Sequence, residues 1–365
     1  MDAPKVTIKA HEALADIRAH MTDAALMEKY GISEKGLQSL FGKLVGAGLL
    51  AQAELDNRTD SAEKAVDTAE KDPFELVRGR TLLARALLAV VASIVLSLLL
   101  LPSELIHESM TLQNIVFLAL FNCVLLLLVI RLLSRAKLAP TEVIGNYPSW
   151  AMVGRNALLA FPLVGVAIAA TYLLYLPLSY FSPRFVEWWI LELPPFIVWK
   201  TDSGSISGNL LGFLCVVLIA PIVEEFFFRG LLLTRWSVKW NVPWAIFASS
   251  ALFALGHPDV IGAFFFGYVM CALYIQTKSL LIPIALHMTN NGMVWIVAGV
   301  AMLVEDTNSG ATLAQFQSEW WVGLVAGVVV MPWVIIFVKR HMPTATWRVP
   351  YFTLREGQAL GARAA

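Results

Sequence analysis

The sequence predicts an all-α protein, a polytopic bundle of about eight transmembrane helices preceded by a small helical domain. Of its 365 residues, 58% are hydrophobic and only 15% are charged. Soluble domains are about half apolar and about a quarter charged, so most of this chain is suited to lipid. Apolar runs recur from residue 81 onward, and each of them is long enough to cross ~30 Å of hydrocarbon.

Residues 1–58 are predicted to form a separate cytoplasmic domain with a helix-turn-helix-like shape. Apolar positions recur at helical spacing over residues 10–20 and 22–30, and Ser33 is placed to cap a third helix. Residues 1–60 contain seven Lys/Arg and nine Asp/Glu, a balance that disfavours a surface tracking phosphates. We therefore expect a protein partner for this domain and no nucleic acid.

The remaining chain divides by composition into a charged linker at 59–80, a membrane bundle at 81–340 and a cytoplasmic tail at 341–365. The fifth apolar run, 243–257, is short, which predicts a helix that ends inside the protein or is covered by its neighbours. The spans are predicted at about 82–102, 111–131, 157–180, 207–233, 243–257, 259–276, 279–302 and 320–338.

Loop charges predict the orientation of the bundle. Lys and Arg cluster in alternate loops and in the tail, whereas the intervening loops carry mainly Glu. By the positive-inside rule both termini are cytoplasmic and the number of spans is even. We expect an integral, multi-pass protein of the bacterial inner (plasma) membrane, with the aromatic and proline-broken stretch 188–199 at the opposite membrane interface.

Ionisable side chains within the spans are rare, and they indicate a functional site. Each costs at least ~2.5–3.5 kcal/mol at the bilayer centre, so it requires a partner or a purpose. We single out Glu224, Glu225, Arg229, His257 with the adjacent Asp259, and His287.

Helical spacing separates the two glutamates of the fourth span. Glu225 and Arg229 are four residues apart and share a face, which predicts a buried structural ion pair. Glu224 is rotated ~100° from Glu225 and is expected to face other helices.

The same spacing places one polar stripe on each of two further helices. His287 and Asn291 share a face, and so do Phe253 and His257. Counted along the helices, Glu224, His287 and Asn291 reach similar depths, whereas His257 counts deeper. Its helix must tilt, start late or end in a break at Pro258 for the imidazole to join the others.

These residue types can hydrolyse a peptide bond without a nucleophilic side chain. A carboxylate such as Glu224 can take a proton from water, and imidazole and amide groups can orient that water and donate to an oxyanion. The sequence contains no HExxH or GxGD motif and no GxSxG-type turn near a membrane histidine. Three alternatives stay open: a zinc site formed by Glu224, His257 and His287, a proton-relay transporter, and an inactive scaffold.

Three motifs resemble those of the CAAX protease and bacteriocin-processing (CPBP, Abi) family of intramembrane peptidases, which includes type II CAAX prenyl endopeptidases. The stretch from Glu224 to Arg229 resembles its EExxxR motif, Phe253 to His257 its FxxxH motif, and His287 to Asn291 its HxxxN motif. All three occur in the family's order on successive helices, and the resemblance covers about residues 207–300.

The resemblance implies a glutamic-type intramembrane endopeptidase that requires no cofactor and acts on membrane-embedded or lipidated peptides in the bilayer, as in CAAX processing. By this resemblance Glu224 and His257 activate water, His287 and Asn291 stabilise the oxyanion, and Glu225 and Arg229 are structural.

Overall fold

Helices make up the regular structure of the computed structural model. The structure describes residues 8–18, 21, 23–52, 54–55, 73–76, 79–100, 110–192, 205–304, 311–344 and 346–355. Within these ranges the only strand-like feature is one isolated antiparallel bridge, between Gly145 and Ser279. The all-α prediction is confirmed. The chain divides into two compact units, Met1–Asp72 and Pro73–Ala365.

Three short helices form the N-terminal unit. They are α1 (Ala10–Arg18), α2 (Asp23–Tyr30) and α3 (Glu34–Gly46). Ser33 begins α3, because its hydroxyl accepts a hydrogen bond from the Gly36 amide at 3.4 Å, as its position predicts. The three helices enclose a small apolar core, whose buried members are Ala13, Ile17, Leu26, Leu37, Phe41, Leu44 and Leu50.

The first half of the membrane unit consists of helices that lead up to the central one. They are α4 (Pro73–Leu76), α5 (Gly79–Leu100), α6 (Met110–Arg135), α7 (Pro140–Ile144), α8 (Trp150–Ala157), α9 (Ala160–Phe181) and α10 (Pro183–Val186), followed by a π-helical turn at Glu187–Leu191.

The second half begins with a continuous helix in which α and π geometry alternate. Its segments are α11 (Ser205–Phe213), a π segment (Leu214–Ile219), α12 (Ala220–Glu225), a second π segment (Phe226–Leu233) and α13 (Thr234–Lys239). The helices that follow are α14 (Val242–Leu255), α15 (Val260–Thr277), α16 (Leu281–Val304), α17 (Leu313–Ser318) and α18 (Trp320–Arg340).

Seven helical stretches of the described chain are long and apolar enough to cross a membrane. The fifth predicted span corresponds to α14, a shorter apolar helix of 14 residues. The protein is thus an integral, multi-pass membrane protein, as predicted, with one shortened helix among the spans. Its orientation stays a prediction. Residues 59–72 of the predicted linker and 193–199 of the predicted interfacial stretch lie outside the described residues.

Close packing brings α14 and α15 against the central helix. A Cβ atom added at Gly267 of α15 would lie 3.0 Å from the Ser250 Cα atom of α14, so glycine permits the approach of the two backbones. The Gly267 carbonyl in turn accepts a hydrogen bond from Arg229 of the central helix at 3.3 Å. These three elements therefore hold their positions through backbone contacts as well as side chains.

Residues 346–355, within the predicted tail, fold back onto the membrane unit. Val349 and Tyr351 are buried, and the Tyr351 ring lies 4.7 Å from the ring of Phe74, centroid to centroid. At least this part of the tail is therefore structured.

Candidate active site

In the first π segment of the central helix, the Val216 carbonyl has no donor within the helix and accepts a hydrogen bond from Asn291 instead. The amide of Ala220 donates to the Cys215 carbonyl, five residues back, instead of to Val216. Pro221 has no N–H, so it cannot serve the Val216 carbonyl either. Asn291 of α16 donates from Nδ2 to this carbonyl at 2.9 Å. The α-to-π alternation thus ties the central helix to α16.

Glu225 and Arg229 form a fully buried ion pair on the central helix. The Glu225 Oε1 and Arg229 Nη1 atoms are 2.7 Å apart, and both side chains are 0% exposed. The guanidinium also lies over the Phe253 ring, with Cζ 4.6 Å from the ring centroid. A charged pair this deep is held by its own hydrogen bond, by the Gly267 carbonyl and by an aromatic face.

His287 of α16 lies between the two glutamates. Its Nδ1 atom is 2.9 Å from Glu225 Oε1, and its Nε2 atom is 3.9 Å from Glu224 Oε2. The first contact is a hydrogen bond, whereas the second is too long for one. A carboxylate accepts, so Nδ1 carries the hydrogen, and in the neutral form of the ring Nε2 presents a lone pair toward Glu224.

The contact between His287 and Glu225 is the feature that the sequence did not indicate. Spacing along a helix identified the pair of Glu225 with Arg229, but contacts between helices depend on how the helices cross. Glu225 therefore contacts His287 as well as Arg229, and its hydrogen bond orients the imidazole that faces Glu224.

The two glutamates differ in exposure although they are neighbours in the chain. The side chain of Glu224 is 17% exposed, whereas that of Glu225 is fully buried. Rotation by one residue places Glu225 against Arg229 and leaves Glu224 accessible at the edge of the cluster.

His257 joins the cluster through an aromatic ring. The helix α14 ends at Leu255, and His257 lies in the four-residue connection to α15, so the break expected at Pro258 is present. The Nδ1 atom donates to the Phe253 carbonyl at 2.9 Å, and the imidazole stacks on the Phe253 ring at 4.3 Å. Because the carbonyl only accepts, Nε2 is left as the acceptor of the neutral ring.

Phe253 connects the two imidazoles. Its ring lies edge-on to His287 at 5.9 Å, and Phe266 of α15 lies edge-on to the same imidazole at 4.9 Å. Within the part of the chain that the structure describes, no hydrogen bond joins His257 directly to Glu224, His287 or Asn291. The structure therefore brings His287 next to Glu224, and His257 contacts the Phe253 ring that also lies against His287.

The residues weighed as zinc ligands do not form a recognisable metal centre. Across the described ranges, no group of three or more His, Cys, Asp or Glu side chains is arranged to hold a metal ion. His287 and His257 each donate from Nδ1, to Glu225 and to the Phe253 carbonyl, which is also how zinc-bound histidines use their second nitrogen. Zinc stays an alternative for experiment to decide.

The comparisons with known proteins point to one family. Residues 206–293 match the family described as type II CAAX prenyl endopeptidase Rce1-like. An uncharacterised 24.3 kDa protein of Escherichia coli is 25% identical over 184 residues, which span 48% of this chain and 77% of that protein. No solved structure matches. The matched segment contains all three motifs, so the resemblance found in the sequence is confirmed. The match supports a CAAX-type intramembrane protease.

Proposed function

We propose that this chain, whose residues 206–293 belong to the Rce1-like family, hydrolyses a peptide bond with a water molecule activated by Glu224. The observation that carries the proposal is the position of His287, which is fixed by Glu225 and turns Nε2 toward Glu224 at 3.9 Å. A separation of this size between two acceptors suits a bridging water. The reactive pair is thus Glu224 with His287, and the ion pair supports it.

The proton movements follow from the hydrogen bonds on each ring. Water gives one proton to the Glu224 carboxylate as its oxygen attacks the carbonyl carbon, and the proton passes from there to the leaving amine. His287 accepts from the same water through Nε2. When the proton taken up by Glu224 is relayed through this Nε2 on its way to the leaving amine, the ring donates to the oxyanion while its Nδ1–H stays on Glu225.

Asn291 and His257 have supporting roles in this proposal. The Asn291 amide has two N–H groups, of which one is occupied by the Val216 carbonyl and the other is available to an oxyanion. His257 has an unprotonated Nε2 in its neutral form and can accept from the attacking water.

The substrate is proposed to be a membrane-associated protein or peptide, with a scissile bond that enters the bilayer. The site lies among apolar helices, and Glu224 is its most accessible carboxylate. The protein is further proposed to lie in the bacterial inner membrane with both termini in the cytoplasm. The N-terminal unit, which has its own core, is proposed to contact a protein partner.

A terminal-peptide comparison of whole membranes tests the function without a known substrate. Cells producing the wild type are compared with cells producing Glu224→Gln, and Glu319→Gln serves as a matched control at the start of α18. We expect new protein termini in the wild type and the control that are absent from Glu224→Gln. Identical sets of termini in all three would contradict the proposal and favour an inactive scaffold.

A chelator experiment distinguishes the zinc alternative. The peptide identified from those termini is incubated with the purified protein before and after chelation. We expect unchanged cleavage, because water activation by Glu224 needs no metal. Loss of cleavage on chelation, followed by recovery with Zn²⁺, would replace this mechanism with a zinc-dependent one.

A further inference from the structure

The connection that contains His257 is anchored from a distant helix. Tyr175 of α9 donates its hydroxyl hydrogen to the Pro258 carbonyl at 2.6 Å, across 83 positions of the chain. Tyr175 is only 3% exposed, and the hydrogen bond as a whole is partly buried. The anchor therefore acts on the residue immediately after His257.

A second hydrogen bond sets the direction of the first. The indole Nε1 of Trp189, in the π-helical turn Glu187–Leu191, donates to the Tyr175 oxygen at 3.0 Å. An indole only donates and a carbonyl only accepts, so the hydroxyl must pass its own hydrogen to Pro258. The chain of bonds runs in one direction, from Trp189 through Tyr175 to the connection.

The other end of the connection is also fixed. Asp259 caps α15 by accepting from the Gly262 amide at 3.1 Å. A Cβ atom added at Gly262 would lie 1.8 Å from Asp259 Oδ2 and 2.9 Å from the Ala167 backbone, so the carboxylate is folded closely over the glycine. Within the connection, the His257 amide donates to the Ala254 carbonyl at 3.0 Å and the Val260 amide to the Pro258 carbonyl at 3.1 Å, so the Tyr175 hydroxyl is the donor that reaches it from another helix.

We propose that Tyr175 is a positioning residue for His257, and that Trp189 holds Tyr175 in its donating orientation. The proposal rests on the proposed function, because a change in the position of His257 affects the rate only if His257 takes part in hydrolysis. A displacement of about 1 Å at a reacting group can cost ~10²-fold in rate. Removal of the Tyr175 hydroxyl therefore lowers kcat by roughly 10- to 100-fold with little change in KM.

The test compares single hydroxyl and indole deletions with matched controls. Tyr175→Phe and Trp189→Phe remove one donor each and keep an aromatic ring. The controls are Tyr180→Phe, which lies on the same helix with a 66% exposed side chain, and Trp188→Phe, which is 59% exposed beside Trp189. We expect kcat to fall for the first two variants only, with a smaller loss for Trp189→Phe.

Two readouts separate positioning from general stability. In a His257→Ala background, Tyr175→Phe should cause no further loss of kcat, since the group that it positions is gone. The imidazole ¹⁵N signals of His257 should shift in Tyr175→Phe but not in Tyr180→Phe, and this readout is available even if His257→Ala has no measurable activity. An unchanged His257 signal, or an equal loss of kcat in both backgrounds, would overturn the proposal.

The outcome for Glu224→Gln keeps the two proposals distinct. If Glu224→Gln is inactive while Tyr175→Phe retains full kcat and an unshifted His257 signal, the positioning role fails and the hydrolytic function stands. If Glu224→Gln is fully active, the function fails whatever Tyr175→Phe does.

Discussion

Two histidines follow membrane helices and make the same side-chain contacts, His257 after α14 and His341 after α18. Each comes four residues after a phenylalanine, so the FxxxH spacing occurs twice in the chain. The Nδ1 atoms of both imidazoles donate to the carbonyl of that phenylalanine, at 2.9 Å in the first case and 2.8 Å in the second. Each imidazole also stacks on the phenylalanine ring, at 4.3 Å and 4.0 Å.

The surroundings of the two histidines differ. The Phe253 ring lies under the Arg229 guanidinium and faces the edge of His287, which contacts both glutamates. The Phe337 ring packs against Trp333 at 5.3 Å, and the His341 carbonyl accepts a hydrogen bond from the Tyr268 hydroxyl at 2.7 Å. The same spacing therefore occurs at two helix ends, and within the described part of the chain it is His257 whose phenylalanine lies against Arg229 and His287.

The largest expected effect is on stability, and it follows from substitution of Glu225, the buried carboxylate near the FxxxH motif of His257. Glu225→Gln deprives the Arg229 guanidinium and the His287 ring of their shared carboxylate. We expect the free energy of unfolding to fall by about 3–5 kcal/mol, because one charge of a buried pair is left without its partner. Denaturation of the purified protein in detergent measures it, with Glu319→Gln as control. A loss below about 1 kcal/mol would mean that the ion pair does not hold the site.

Deletion of each imidazole tests the comparison itself. We expect His257→Ala to lower the cleavage rate by about 10²-fold or more, the lower range for a group that assists proton transfer. His341→Ala breaks the same local hydrogen bond and stacking contact at the other helix, so its rate should stay within about twofold of the wild type. Equal losses in the two variants would show that both copies act only on helix structure.

A double-mutant cycle tests the link between Asn291 and the π segment. Asn291→Ala leaves the Val216 carbonyl without a donor, which should cost about 1–3 kcal/mol of stability. In a Pro221→Ala background the helix regains an N–H and can satisfy its own carbonyls, so the same change should cost less. Thermal denaturation of the four proteins provides the comparison, and equal costs in both backgrounds would contradict the account of Asn291.

The smallest effect on cleavage is expected from the N-terminal unit, where the ion pair of Asp16 and Lys29 should not influence the rate. A hydrogen bond from Lys29 at 2.7 Å, with another from Tyr30, holds the pKa of Asp16 below its usual value. This stabilisation is present above the ordinary pKa of 3.8 and is lost as pH falls through the lower folded-state value.

Hydrogen exchange of the full chain tests this prediction. The wild type should lose amide protection in α1 and α2 as pH falls below about 3.8, after correction for the intrinsic exchange rate. Asp16→Asn should show lower protection at neutral pH and little further loss in acid, with unchanged peptide cleavage. A cleavage defect in Asp16→Asn would connect the N-terminal unit to the site.

Much of the fold and of the residue set could be predicted because it depends on local pattern. Apolar runs of membrane length indicate the spans, Ser33 indicates a helix start, and four-residue spacing indicates the pair of Glu225 with Arg229. The short fifth span was predicted from its length, and it corresponds to the 14-residue α14. Each of these features requires information from one helix only.

The remaining features depend on contacts between helices, which spacing does not specify. The hydrogen bond from His287 to Glu225 spans 62 positions, and that from Asn291 to Val216 spans 75. Pro221 in the middle of an apolar run was a usable signal for a change in helix geometry. No sequence pattern indicated that the Tyr175 hydroxyl would reach Pro258, since this depends on how α9 lies against the connection.

The most direct test of the central claim is the rate at which purified Glu224→Gln cleaves a peptide that spans the identified site. Glutamine keeps the shape of the side chain but cannot take the proton from water, so we predict a fall in kcat of about 10³-fold. The same preparation should unfold at the temperature of the wild type, because Glu224 has no part in the ion pair. A variant that keeps more than about a tenth of the wild-type kcat would contradict the role of Glu224 as general base.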